Sequence, residues 1–151
     1  MLEAELASIA KRMVEISGVS EIEFDTAADG FPRPSLFFPP VEQDTTQPTF
    51  SSFGFENSLF VKVFDNSTKA AMEKAAAIVF ALNQDRKQVP LVDESGNFTG
   101  KPLRLKQLSH KRTDEGTAQI YCTWSSIYAA TEKTNPAANA IVRKIGLKKE
   151  A

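Results

Sequence analysis

Residues 102 to 130, PLRLKQLSHKRTDEGTAQIYCTWSSIYAA, hold two long runs on either side of Thr113-Asp114-Glu115-Gly116, and the second alternates apolar and polar side chains. A side-chain period of two predicts a strand, and the turn residues between the runs fold them into an antiparallel hairpin. In the return run Ala118, Ile120, Cys122 and Trp124 share one face, while Gln119, Tyr121 and Thr123 share the other. The first face is expected to lie in the core.

Two helices are expected to supply the cover. Leu2, Leu6, Ile9, Met13 and Ile16 recur in steps of four and three, which puts them on one stripe of a helix that ends near Gly18. A second helix is predicted from about Thr68 to Asn83, with Met72, Ala75, Ala76, Val79 and Leu82 on one stripe, and Ile78 and Phe80 widening it. Just before it, SLFVKVFDNS predicts a strand with Leu59, Val61 and Val63 on one face and Phe60, Lys62 and Phe64 on the other, followed by capping side chains at Asp65-Asn66-Ser67. A short strand is expected at Leu36, Phe37 and Phe38, bounded by prolines. The acidic, threonine-rich run after it is expected to be a loop, and residues 85 to 102 a projecting loop with the option of a small hairpin at Asp93 to Gly100. Asn135-Pro136 begins a short final helix that stops at Gly146. The fold class expected is α+β, a mainly antiparallel sheet packed against helices in the order helix-strand-strand-helix-strand-strand-helix, as one domain over residues 1–151.

The stretch TFSSFGFENS, residues 49 to 58, sets Phe50, Phe53 and Phe55 among residues that favour turns. Such rings are either core or contact surface for another subunit, because large exposed apolar patches on soluble proteins usually mark contact sites. One reading has Phe53 and Phe55 entering a strand edge and packing partly in the core, with Phe50 and the preceding loop meeting a neighbour. In the other reading all three are core.

The net charge of −1 gives no global attraction to nucleic acid or membrane, but its distribution is uneven. Residues 1 to 75 carry 12 acidic and 6 basic side chains, and residues 76 to 151 carry 7 acidic and 12 basic ones. Unlike halves of this kind suit head-to-tail contact between identical subunits. Cations concentrate at Lys101, Arg104, Lys106, Lys111 and Arg112, with no interleaved aromatic stacking motif, and a basic-faced nucleic-acid-binding module is the alternative from another class.

Signals for catalysis are sparse. His110 and Cys122 are the sole histidine and cysteine, so a metal site built mainly from these types is excluded, as is an intrachain disulfide. A Cys122/His110 nucleophile pair is conceivable, yet Cys122 shares the face of Ile120 and Trp124, where cysteine is usually a small buried hydrophobe. The carboxylates Asp93 with Glu94, Asp114 with Glu115, and Glu21, Glu23 and Asp25 are better read as solvated surface. No catalytic residue and no cofactor is expected. No run approaches the length of a membrane span, and a cytoplasmic site of synthesis is expected.

The first helix, the strand in FPRPSLFF, the unit ENSLFVKVFDNSTKAAMEKAAAIVFALN and the hairpin RLKQLSHKRTDEGTAQIYCTWSSIY together resemble the small tail-terminator proteins of tailed bacteriophages and phage-tail-like particles. The resemblance rests on element order, length and texture over roughly Leu2 to Tyr128. It implies a non-enzymatic virion protein that forms a ring, generally a hexamer, at the head-proximal end of the tail tube. Such a ring ends tube polymerisation and docks the head connector, and DNA only passes through it. The partners implied are the chain itself, the tube protein and the connector protein. Another head-tail joining protein is the alternative within the same class. Interface positions expected on this reading are Phe50, Phe53, Phe55, Arg104, Lys106, Lys111 and Arg112.

Overall fold

The computed structural model describes residues 2–25 and 32–131. Helix α1 (Leu2–Ser17) leads into three short strands, β1 (Ile22–Phe24), β2 (Ser35–Phe38) and β3 (Glu42–Thr49), and then the long β4 (Ser52–Phe64). Helix α2 (Thr68–Gln84) follows, then β5 (Gln88–Val92), β6 (Phe98–Asp114) and β7 (Thr117–Ala129). The sheet runs β1-β2-β4-β7-β6-β5, with β3 also paired to β4. Its pairs are antiparallel except β1 with β2.

The α+β class, the mainly antiparallel sheet and the helical cover follow the sequence reading, but the element order does not. The acidic run after the proline pair is a strand, β3, because its backbone pairs along β4 from Glu42↔Ser58 to Thr46↔Gly54. The expected projecting loop at residues 85 to 102 is instead a hairpin of β5 and the start of β6, turned at Asp93 to Asn97. Strand β1 went unread, and the final helix at 135–146 lies outside the described residues.

Burial explains why both helices take one face of the sheet. Leu59, Val61 and Val63 of β4 and Ala118, Ile120, Cys122 and Trp124 of β7 form one cluster with Ile9, Ala10 and Met13 of α1 and Ala71, Ala75, Ile78 and Leu82 of α2. The buried line of α2 is therefore Ala71-Ala75-Ile78-Leu82, while Met72 and Val79 are half-buried at its flank. Alanines on that line let the helix axis approach the sheet closely, which outweighs the larger side chains beside it. The opposite sheet face, with Phe60, Lys62 and Gln119, carries neither α1 nor α2.

The β4-to-α2 junction is held by charge and caps. Ser67 Oγ accepts from the Ala70 amide at 3.1 Å as the helix N-cap, and Asp65 forms an ion pair with Lys74 one helical stretch later. Arg33 donates to the carbonyl oxygens of Asp65 at 2.5 Å and Gly116 at 3.0 Å, tying the start of β2 to the same corner. Burial of Asp65 works to raise its pKa, but the Lys74 ammonium, the Asn66 amide and the Arg33 charge outweigh it and hold the carboxyl below the ordinary carboxylate range. Because the folded pKa is the lower one, this stabilisation is present above the unfolded pKa of about 3.9 and is lost as pH falls through the folded value. Urea midpoints measured from pH 6 down to pH 3 should therefore fall, and the fall should be shallower in Lys74→Met. An unchanged acid limb in that variant would remove the assigned role of the pair.

Candidate assembly surface

At one end β4 and β7 stay paired beyond the residues that share a core cluster with the helices. Strands β4 and β7 stay in register over Ser52↔Ala129 to Phe64↔Thr117, so the end of this ribbon carries Phe53, Phe55, Ile127 and Tyr128. The helix-side part of the core stops at Trp124, where a polar chain, buried except at its Gln43 end, marks the seam. Gln43 Nε2 donates to Asn57 Oδ1 at 2.8 Å, and Asn57 Nδ2 donates to Ser126 Oγ at 2.9 Å. Ser126 Oγ in turn donates to Glu5 Oε1 at 2.7 Å, and Trp124 Nε1 donates to Glu5 Oε2 at 3.3 Å. Four elements, β3, β4, β7 and α1, are thus pinned to one another where the ribbon leaves the helical layer. A buried carboxylate is tolerated there because it accepts from two buried donors.

Beyond the seam lies the aromatic group. Phe53 and Phe55 meet edge to face with ring centroids 6.1 Å apart, and Tyr128 packs on both, at 5.6 Å and 6.2 Å. Phe53 remains 43% exposed, Ile127 on the other face 63%, and Phe50 in the β3–β4 turn is wholly exposed at 101%. Gly54 between the two phenylalanines is fixed by space, since a Cβ there would stand 2.6 Å from the Ser126 carbonyl oxygen and 3.0 Å from Thr46 Oγ1. The sequence expectation of Phe53 and Phe55 at a strand edge needs correction: β4 is an interior strand flanked by β3 and β7. Neither ring belongs to the main core cluster.

On the sheet face opposite the helices, Phe60 stacks against Tyr121 with centroids 4.9 Å apart, and Lys62 Nζ donates to Gln119 Oε1 at 2.5 Å. Burial holds the Lys62 ammonium below the ordinary lysine range, with Asp114 opposing that shift and Lys111 adding to it. Lys106 Nζ reaches both Glu56 carboxylate oxygens at 3.0 and 3.1 Å, and Ser125 Oγ donates to Glu56 at 2.6 Å. The Ser125 hydroxyl and then Lys106 keep the Glu56 carboxyl below its ordinary value.

The candidate positions named from the sequence therefore fall into two groups. Phe50, Phe53 and Phe55 gather at the ribbon end, whereas Arg104, Lys106, Lys111 and Arg112 line β6. Register puts Lys111, opposite Gln119, on the helix-free face and Arg112, opposite Ala118, on the other. Glu5 and Asn57 escaped the sequence reading. The signal for Glu5 was its spacing of four from Ile9 and of eight from Met13, on the buried side of α1.

The geometry gives the nucleophile reading no footing. Cys122 is buried in the core, and that burial pushes its thiol up to about 12, far from the thiolate a nucleophile needs. Among the described residues no group of three or more His, Cys, Asp or Glu side chains is placed to hold a metal ion.

The end of the ribbon exposes aromatic side chains, and sequence comparison relates the chain to a protein of a phage-like element. The chain belongs to the family of the phage-like element PBSX protein XkdJ of Bacillus subtilis (strain 168), with 32% identity over 120 residues, 80% of this chain and 82% of that protein. The uncharacterized protein YqbJ of the same organism is 32% identical over 124 residues, 82% of this chain and 84% of YqbJ. No protein-family model matches the chain. A chain from the virion of a native gene transfer agent particle superposes at a TM-score of 0.45 and 13% identity, covering 82% of this chain and 93% of that one, too loosely to carry an argument.

Proposed function

We infer that this protein is a structural component of a phage or phage-like particle that closes into a ring on the head-proximal end of the tail tube, ending its growth and offering a face to the head connector. The observation that carries the reading is the aromatic end of the β4–β7 ribbon, with Phe50 of the adjoining β3–β4 turn wholly exposed, in a chain related to a protein of a phage-like element. Exposed aromatic side chains contribute large contact area at low entropic cost and are enriched where subunits meet. The role is mechanical rather than catalytic. Nucleic-acid binding is the weaker reading, since Lys106 is already engaged by Glu56.

Mass photometry of the purified protein, alone and mixed with tail tubes, followed by negative-stain imaging, tests this. A closed ring, with density capping one tube end, is the expected result. A monomer that leaves tube ends bare and tube length unlimited would overturn it.

A further inference from the structure

We propose that copies of this chain join edge to edge, the acidic outer edge of β3 in one copy pairing antiparallel with the basic free edge of β6 in the next. The inference rests on the ring reading above and names the contact that would build the ring.

Besides the outer sides of the terminal strands β1 and β5, two stretches of sheet edge are open among the described residues. One side of β4 is taken along its whole length by β7, and the other by β3 and β2. Strand β1 covers β2, but among the described residues no strand covers the outer side of β3. On the far side, β5 pairs with β6 only as far as Gln88↔Arg104, which leaves the edge from residue 106 to Asp114 without a partner strand among the described residues. Unpaired edges of this length are templates for another strand, and proteins either block or use them.

The charges select which edges meet. The β3 edge carries Glu42 and Asp44 and no cation, whereas residues 106 to 112 of β6 carry Lys111 and Arg112, beside a Lys106 that is paired with Glu56, and no carboxylate. Glu42 and Asp44 lie opposite Ser58 and Glu56, on the helix-free face, which is also the face of Lys111. A two-fold dimer would set β3 against β3 or β6 against β6, putting like charges across the ladder, which destabilises the pair. Joining β3 to β6 is heterologous and leaves one edge of each kind open, so it propagates until a ring closes.

Direction and stagger are compatible with that. β3 is antiparallel to β4, β4 to β7 and β7 to β6, so β3 and β6 run in opposite senses, and any ring that keeps its strands pointing one way pairs them antiparallel. Asp44 is level with Ser125 of β7, through Glu56, and Lys111 with Gln119, six positions along the strand. At about 3.3 Å per residue along strands and ~4.8 Å between the four strands β3, β4, β7 and β6, the required tilt is roughly 45°. Closed sheets tilt by about 35–45°.

Charge reversal tests the contact at positions that are all exposed, so the fold should survive. The doubles Glu42→Lys/Asp44→Lys and Lys111→Glu/Arg112→Glu are each expected to assemble at least tenfold more weakly than the parent by mass photometry, with unchanged circular dichroism. Mixed one to one they should form rings again, because the two variants then alternate with complementary edges. If either double forms rings as the parent does, or the mixture stays monomeric while the parent assembles, the edge pairing is overturned and the ring reading stands. A parent that forms no ring in solution or on tubes overturns both.

Discussion

Replacing Trp124 by alanine is expected to cost about 3–5 kcal/mol of stability, the loss typical of a large aromatic removed from a core. Trp124 is fully buried in β7, between Asn57 of β4 and Leu105 of β6, and is the largest side chain in the core. Its indole also donates to Glu5, so truncation opens a cavity and removes one of the donors that make a buried carboxylate tolerable. Trp124→Phe keeps most of the apolar area and forfeits the hydrogen bond, for an expected cost of about 1–3 kcal/mol. Urea unfolding followed by far-UV circular dichroism is the appropriate measurement, because Trp124 is the sole tryptophan and its fluorescence disappears with it. A loss below about 1 kcal/mol for the alanine variant would mean that the seam between helices and ribbon is not anchored at this residue. For a domain of this size the predicted loss lowers Tm by on the order of 10 °C.

The same residue shows what was legible in the sequence. Strand β7 alternates from Ile120 to Ser126 because one face is buried under helices and the other only half so, and its period is written in Ile120, Cys122 and Trp124, while Thr117 and Gln119 of the other face are buried as well. Strand β3 has no such contrast: EQDTTQPT is exposed along nearly all its length, and only backbone pairing to β4 makes it a strand. Strand β1 is defined by parallel pairing to β2, a partner about fourteen residues away, which local patterning cannot express. In α2 the stripe read from spacing shares Ala75 and Leu82 with the buried line, which is turned toward Ala71 and Ile78 and leaves Met72 and Val79 half-buried. The candidate site divides in the same way. The aromatic cluster was visible as an anomaly of composition, whereas the buried Glu5 was masked by its position in the first turn of α1, where a carboxylate is explained by the helix dipole alone.

Phe50→Ser should leave the fold intact and weaken ring formation or tube capping by at least roughly tenfold, the mark of an interface anchor rather than a core residue. Phe50 is wholly exposed in the β3–β4 turn, so its removal costs no burial, and surface changes of this kind stay within about 0.5 kcal/mol. Aromatic anchors at subunit contacts commonly contribute about 2 kcal/mol or more when truncated, which is over tenfold in association. Phe53→Ser serves as the internal comparison, since Phe53 is 43% exposed yet packs on Phe55 and Tyr128. Its loss should lower both stability and assembly, by about 1 kcal/mol in the former, as expected for an aromatic pair contact. Thermal melts and mass photometry on the same preparations separate the cases. A Phe50→Ser protein that caps tubes as the parent does would remove the aromatic turn from the contact surface, and one that melts well below the parent would return Phe50 to the fold. The combination expected is an unchanged melt with assembly lost, because only a ring that meets something outside the monomer can be stabilised by a side chain the monomer leaves in water.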